Sequence, residues 1–551
     1  MPWKIKSTQD KPESKEELIK RILELNNLPH SDKDIEEFLS PPPLTLESLF
    51  KFTDISKLEL KKAVTLINQS IKSDRPIIVY GDYDVDGVCA TAILWTTLHE
   101  MGADVLPFIP HRLEHGYGLS EKGLEKALTL FENKDKPLII TVDNGVTGGK
   151  LTKKYQDQGI DFIITDHHQI PKEEPVAGAF IHSTKVCGTV IAFILSWKLS
   201  GKRPPLDLPA LATICDQLPL IGPNRQIVVG GLDEIHKSKR AGLLSLIKQA
   251  LILDPEIIDT YHLGFVIGPR INAAGRLGHA IDALRLLCTK NISQADELAL
   301  QLNELNKERQ DLTKIAIENA IKSYEGIEDL PKIIISVSPD YHEGIIGLIA
   351  AKLSDRFHRP AIAISEGVET SKASARSIDG IDITQVLRTI NHLFIDLGGH
   401  AGAAGFSIPS GNLLKFRDAL FSASKHLEEK LFDPSFSVDL HLHSDQDLKV
   451  THSAIKTLSP FGDSFTEPLF FLSGLSLEKQ KSVGQTGNHL QLVLKTKKGS
   501  PLKGIAFNQA GSYTFSAGDQ VDVAFHLLEN TFNGVTSLQL NVKNLQNHIL
   551  P

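Results

Sequence analysis

The sequence predicts an α/β protein: a parallel-sheet domain joined by a long helix to a smaller α/β domain, followed by a C-terminal β-barrel. Three features of the chain lead there. From Ile77 onward, short runs rich in Ile and Val alternate with helical stretches, the pattern of a parallel sheet covered by helices. From Ser293 to Glu325 there is neither Gly nor Pro, so one uninterrupted helix is expected. Beyond about Phe432, apolar residues alternate with polar ones between Gly-containing turns, as in a small barrel. At 551 residues the chain exceeds what one hydrophobic core serves, so several domains are expected.

In chain order, residues 1–50 read as an N-terminal segment of short helices broken by Pro41, Pro42 and Pro43. Residues 51–290 form the parallel-sheet domain, with its clearest strands at Ile77–Tyr80, Leu138–Val142 and Phe162–Thr165. A connecting helix spans 291–326, where Leu298, Leu302, Leu305, Leu312, Ile315 and Ile321 recur at roughly helical spacing. Residues 327–430 form the second α/β domain, with strands near Ile333–Val337 and Ala361–Ile364. Residues 431–551 form the barrel. Its strands are marked by Leu490, Leu492 and Leu494, by Val521, Val523 and Phe525, and by Leu538, Leu540 and Val542.

Composition narrows the function classes. The net charge is −8, so the chain lacks the overall basic signature of many nucleic-acid binders. An acidic metal site lowers the total while a groove can stay locally basic, so this does not exclude nucleic acid. Cys89, Cys187, Cys215 and Cys288 are far apart and form no CxxC pair, which argues against a zinc site or a disulfide framework. The polar N-terminus lacks the apolar stretch of a signal peptide, and no run of some eighteen apolar residues exists to span a bilayer. A reduced, cytoplasmic setting without a membrane is the expectation.

The most informative stretch runs from Ile77 to Gly87 and contains Asp82, Asp84 and Asp86. In an extended segment, side chains two apart share a face, so the three carboxylates would converge while Tyr83 and Val85 point away. Carboxylates so close repel unless cations neutralise them, and a divalent metal is the natural reading. An EF-hand calcium loop also opens with this spacing but needs Glu at its twelfth position, which here is Ile93. Two further polar clusters follow apolar runs: Asp143 after Leu138–Val142, and Asp166, His167 and His168 after Phe162–Thr165. Ligands of open α/β sheets bind at the carboxyl ends of the strands, so three such ends would build one acidic crest. A single Asp there often does no more than cap the next helix; three together, with paired histidines, favour a site.

At these residues the sequence resembles the DHH phosphoesterase superfamily, named for the run present here as Asp166-His167-His168, and within it the RecJ exonucleases most of all. The matching segments are Gly81–Gly87, Thr141–Gly145, Thr165–His168, Gly116–Leu119, Pro269–Ala273 with Gly275 and Arg276, and His342–Gly344 with Gly347. Gly398, Gly399 and His400, followed by Ala403, Ala404 and Gly405, match the signature of the DHH-associated domain. The resemblance runs from about residue 20 to the C-terminus. It names the three folded regions as a DHH domain, a DHH-associated domain and an OB-like barrel.

The resemblance implies a 5′-to-3′ exonuclease acting on single-stranded DNA in repair and recombination, with a helicase and a single-strand-binding protein as partners. It implies two divalent cations, Mn2+ or Mg2+. Asp82 and Asp84 would hold one ion, Asp86, His167 and Asp216 the other, and Asp143 would bridge them. Asp216 is an unremarkable loop acid without the resemblance, and it follows Cys215 where Ala is usual. Paired ions can activate water and stabilise both the attacking and leaving oxygens. His168, beside a ligand, would contact the scissile phosphate or supply a proton.

Phosphate also needs cationic or N–H partners. Single arginines usually form surface ion pairs, but the resemblance assigns Arg112, Arg276, Ser374 and Arg376 to the strand, with Ser374 and Arg376 on the 5′-terminal phosphate. Gly398, Gly399, Gly402 and Gly405 permit close backbone approach to an anion, with His400 as a polar contact. The lysines at 479, 481, 495, 497, 498 and 503 would line a positive groove on the barrel. His441 and His443 fall together on one strand face and are assigned no metal.

The chain departs from the family at three places. Ile181-His182-Ser183 stands where Asn-Pro is common, Pro460–Pro468 lacks the usual Gly-Asn-Pro centre, and Tyr341 replaces a Trp. None of these removes a proposed metal ligand. Two other functions compete with this reading: a DHH-family phosphodiesterase for oligonucleotides or cyclic dinucleotides, and a non-catalytic RecJ-like scaffold. A small substrate needs neither the barrel nor the long helix, and a scaffold has no reason to keep all six proposed ligands.

Overall fold

The computed structural model describes residues 3–7, 14–116, 118–131, 136–171, 174–252, 254–433, 436–443, 448–484, 486–532 and 535–548. Tyr117 of the Gly116–Leu119 segment lies outside the described residues. The chain divides into two compact units: residues 46–216 with 230–434, and residues 1–45 with 217–229 and 435–551.

In the first unit, five parallel strands form a sheet in the order Val105–Phe108, Ile77–Tyr80, Leu138–Val142, Asp161–Asp166 and Ala179–His182. Every residue of Ile77–Tyr80 and Leu138–Val142 is buried. Strands covered on both faces need apolar side chains on both, which is why they read as unbroken Ile and Val runs. Ile78, Tyr80, Ile139 and Phe162 form a core on one side. Helices Val85–Glu100 and Gly188–Ser200, which pack together, are buried along most of their length.

A 31-residue helix, Ile292–Lys322, leads to a second five-stranded sheet in the order Asp396–His400, Ala403–Pro409, Thr370–Arg376, Ala361–Ser365 and Ile334–Ser338. Only the pair Ile334–Ser338 and Ala361–Ser365 is parallel; the others are antiparallel.

The other unit holds the barrel. Phe470–Val483, His489–Lys495, Pro501–Ala506, Val535–Asn547 and Gln520–Phe532 pair in that order, and the last pairs back onto the first, closing five strands. Leu492, Leu494, Val521, Val523, Phe525, Leu540 and Val542 fill its interior. Helix Lys15–Leu25 adds Leu18, Ile22 and Leu23 to the same core. Lys479 and Lys503 flank Val493 in register from either side, and Lys481 lies opposite Gln491, on the outward-facing alternation of these strands. Among the described residues no helix is long and apolar enough to cross a membrane.

Candidate metal centre

The segment carrying Asp82, Asp84 and Asp86 is not extended, as the spacing had implied. The strand ends at Tyr80 and a helix begins at Val85, so Asp84 is its N-cap, its side chain accepting the Gly87 N–H, and Asp86 sits in the first turn. A capping carboxylate satisfies an orphan helix N–H, which outweighs a continued strand here. The chain can turn so tightly only because residue 87 is glycine: a Cβ there would lie 2.6 Å from the Asp82 backbone. The carboxylates are consequently shared between groups. Potential ligand atoms of Asp82, Asp84 and Asp143 lie within 4.8 Å of one another, as do those of Asp86, His167 and Asp216, and those of Asp143, His167 and His168. His167 Nε2 is 3.1 Å from Asp143 Oδ1, 3.6 Å from Asp216 Oδ2 and 3.7 Å from Asp86 Oδ2.

Backbone groups hold this cluster. Asp86 accepts the N–H groups of Gly188 (2.6 Å) and Thr189 (2.8 Å), at the start of a buried helix. Asp166 takes the N–H groups of Val146, His167 and His168 and faces His168 Nδ1 at 2.8 Å. Asp143 has φ +62°, a left-handed conformation unusual for a residue with a side chain and common at functional sites. A Cβ on Gly188 would strike it at 2.7 Å, so Gly188 also makes room for it.

The electrostatics require a counter-charge. Asp82, Asp86 and Asp143 are at most 2% exposed. Asp82 Oδ1 and Asp143 Oδ1 are buried with no hydrogen-bond partner among the described residues. Burial and then the charge of Asp84 push Asp82 up to about 8. Burial, Asp86 and Asp84 push Asp216 up to about 8 as well, and Asp143 is raised well above the usual carboxylate range. His168 is opposed by burial, but its bond to Asp166 holds it at about 9. Buried carboxylates that each destabilise the next, two of them with an oxygen lacking a hydrogen-bond partner, fit divalent cations.

Cationic side chains gather beside the crest. Arg112 lies over the Tyr83 ring, 5.2 Å from its centroid. Arg276 donates to the Gly344 carbonyl at 2.9 Å, and Arg376 donates to Ser374 Oγ at 3.1 Å. Burial and then the charge of Arg112 lower both Arg276, to about 10, and Arg376. Among the described residues no ion pair joins these three arginines to a carboxylate. Cations that Arg112 repels yet the fold holds beside it make a ready anion site.

Comparison with known proteins decides the family. Models of the DHH family N-terminal domain, the DHHA1 domain and the RecJ OB domain match residues 76–215, 330–426 and 438–544. A single-stranded-DNA-specific exonuclease RecJ from Haemophilus influenzae is 33% identical over 536 residues, covering 90% of this chain and 92% of its own length. The chain belongs to the RecJ family. Crystal structures of Thermus thermophilus RecJ in complex with Mn2+ and with Mg2+ each align with all of this chain and about four-fifths of their own: 80% for the first (TM-score 0.82, 29% identity) and 79% for the second (TM-score 0.75, 28% identity).

Asp82, Asp84, Asp86, Asp143, His167, His168 and Asp216 come together at the crest, and Arg112, Arg276, Ser374 and Arg376 gather beside it. Gly398 and His400 sit on an exposed edge strand in register, through Gly405 and Ala403, with Ser374 and Arg376 two strands away. Asp166 of the DHH run anchors His168. Gly188 and Thr189, which hold Asp86, lie in no sequence motif. Asn272, within the Pro269–Ala273 segment, accepts the Val85 N–H on its Oδ1 at 3.1 Å. At the departures, His182 Nε2 donates to the His168 carbonyl at 2.7 Å, and the Tyr341 hydroxyl meets Ser336 Oγ at 2.8 Å. The Asp463 carbonyl accepts the Leu220 N–H at 2.8 Å.

Proposed function

We propose that this protein is a single-stranded-DNA-specific exonuclease that hydrolyses phosphodiesters from the 5′ end using two divalent cations, Mn2+ or Mg2+. The observation that carries the reading is the meeting of buried carboxylates, Asp82 and Asp143 each with an oxygen lacking a hydrogen-bond partner, with three arginines that form no ion pair among the described residues. Asp82 and Asp84 would hold one cation and Asp86, His167 and Asp216 the other, with Asp143 as a further ligand. When bound, such a pair of ions supplies a nucleophile from water and offsets the charge that builds on the phosphate.

The chain's own residues do the rest. Asp166 holds His168 Nδ1 and so orients the ring to bind the scissile phosphate or to move a proton. Arg112 and Arg276 grip phosphates near the cations. Ser374 and Arg376 take the 5′-terminal phosphate and thereby set polarity, while Gly398, Gly399 and His400 line the approach. The outward lysines of the barrel suit a single strand's backbone. Residues 51–290, 327–430 and 431–551 act as catalytic, phosphate-gripping and strand-binding domains, with 291–326 as the spacer and 1–50 as an N-terminal helical segment. Family membership supports work in DNA repair and recombination, and the reading extends to a cytoplasmic setting with a helicase and a single-strand-binding protein as partners.

The test is manganese-dependent digestion of end-labelled strands, with duplex controls. Rapid release of a 5′ label from single strands alone supports the reading. Early release of a 3′ label, or hydrolysis of dinucleotides alone, overturns the polarity or the substrate.

A further inference from the structure

Two aromatic side chains outside the metal centre are left uncovered. Tyr261 is 61% exposed and Phe265 73%, and their rings stack on each other, with centroids 5.3 Å apart and planes within 25°. Rings of this size are normally buried to a large extent, and an exposed aromatic pair marks a contact surface. Tyr261 directly precedes a π-helical turn, His262–Ile267, and Phe265 lies within it, in a rare conformation that recurs at functional sites.

The turn has two faces. Its inner side, Leu263 and Ile267, is fully buried. The Leu263 carbonyl faces the Cys215 thiol at 3.6 Å, and a Cβ on Gly268 would come within 2.4 Å of that sulfur. Cys215 directly precedes Asp216, so this side of the turn is built against the crest. The turn also continues directly into helix Gly268–Leu277, whose last turn bears Arg276. One continuous helical wall links the ring pair to the phosphate-gripping arginines.

We propose that Tyr261 and Phe265 form a stacking platform for unpaired bases of the substrate strand, outside the catalytic cluster; this rests on the single-strand reading above. Aromatic rings accept any base on their faces, which suits a nuclease without sequence preference. Nearby charge says which part of the strand is met. Asp259 is bonded to His262 (Oδ1 to Nδ1, 2.6 Å), and Asp254 and Glu256 precede it. Acids there repel phosphates, so the contact is with base faces and its strength is insensitive to salt, unlike the phosphate contacts.

The experiment uses the full chain with Mn2+ and compares wild type with Tyr261→Leu/Phe265→Leu, which keeps apolar bulk and removes both rings, and with Phe265→Trp. Both positions are exposed, so folding is not at issue. The leucine variant is expected to raise KM for a long unstructured strand about tenfold, equally at low and high salt, with kcat and the turnover of a trinucleotide unchanged. Phe265→Trp is expected to keep the wild-type KM. An unchanged KM on the long strand, as a surface serving a protein partner would give, overturns the platform while leaving the exonuclease reading intact. An equal loss on the trinucleotide also overturns it. A wild type that degrades no single strand refutes the underlying reading first, and the platform with it.

Discussion

His168 Nδ1 lies 2.8 Å from Asp166 Oδ1, and the same oxygen accepts the backbone N–H groups of His167 and His168. One buried carboxylate thus fixes both the loop that carries the imidazole and the ring itself. Asp166 touches no proposed substrate position, so its effect on chemistry passes through His168.

Asp166→Asn keeps the size but cannot hold an imidazolium with a negative charge. Since a positioned acid–base group contributes about 10²–10⁴-fold, kcat should fall about a hundredfold while KM and manganese affinity change little. Steady-state kinetics and a manganese titration check this. An unchanged kcat would remove His168 from the chemistry.

Asp143 combines a left-handed backbone, an unpartnered buried oxygen and three repelling carboxylates, Asp86, Asp84 and Asp82. Asp143→Ala should abolish hydrolysis while leaving strand binding measurable, and normal turnover would refute the ligand assignment. Asp143→Asn tolerates the same backbone and removes the charge. The cation-free protein should then gain roughly 1–2 kcal/mol of stability, as happens when a strained functional site is relieved. Thermal melts in chelator, read beside activity in Mn2+, test both halves.

The same carboxylates make stability depend on pH. In the cation-free protein Asp82 and Asp216 titrate near 8, against 3.8 for the ordinary group, and Asp84 and Asp143 shift the same way. Between those values the folded state keeps protons that the unfolded chain has lost, so stability falls as pH rises. His168, raised to about 9, adds in the same direction, because its contribution is present at low pH and lost as pH climbs through that value. His167, lowered by burial, opposes them as a single group. The Tm in chelator should therefore drop from about pH 5 to pH 8. In excess Mn2+ it should rise over the same range, since protons compete with the metal. A flat chelator curve would contradict the carboxylate coupling.

The strands were legible because burial on both faces forces apolar residues irrespective of what packs there, so Ile77–Tyr80 and Leu138–Val142 stand out unaided. The acidic crest was legible as composition but not as geometry. Spacing placed Asp82, Asp84 and Asp86 on one extended face, whereas a helix cap at Asp84 separates Asp82 from Asp86. The partners of Asp86, Gly188 and Thr189, are about a hundred residues away and are ordinary helix-start residues whose role exists only in the fold. Asp216 likewise gains its meaning from the end of helix Asp207–Cys215, and only the family resemblance flagged it. Helix Lys15–Leu25 announces a buried face through Leu18, Ile22 and Leu23, but nothing in it says that the face belongs to the barrel core.

Gly87→Ala tests how far the crest depends on one close approach. The added Cβ would sit 2.6–2.7 Å from the Asp82 backbone, with no flexible side chain able to yield. Overpacking of this kind costs about 1–3 kcal/mol, and it would move Asp82 away from Asp84 and Asp143. Both the melting temperature and the manganese-induced stabilisation should fall. A variant with normal manganese affinity would mean that the turn tolerates displacement.

Arg376 should decide how the strand end is read. Its guanidinium is tied to Ser374 Oγ and to the Ala375 carbonyl, beside Gly347, where a Cβ would lie 3.1 Å from Nη2. If the pair holds the terminal phosphate, wild type should prefer 5′-phosphorylated over 5′-hydroxyl strands, and Arg376→Ala should erase that preference by raising KM on phosphorylated strands alone. A lost charge-assisted contact is worth about 1.5–3 kcal/mol, or roughly ten- to a hundredfold. Arg112→Ala removes a cation nearer Asp82 and should instead lower turnover on both strands. Equal losses on both strands in Arg376→Ala would place that arginine on an internal phosphate, and polarity would then have to be set elsewhere.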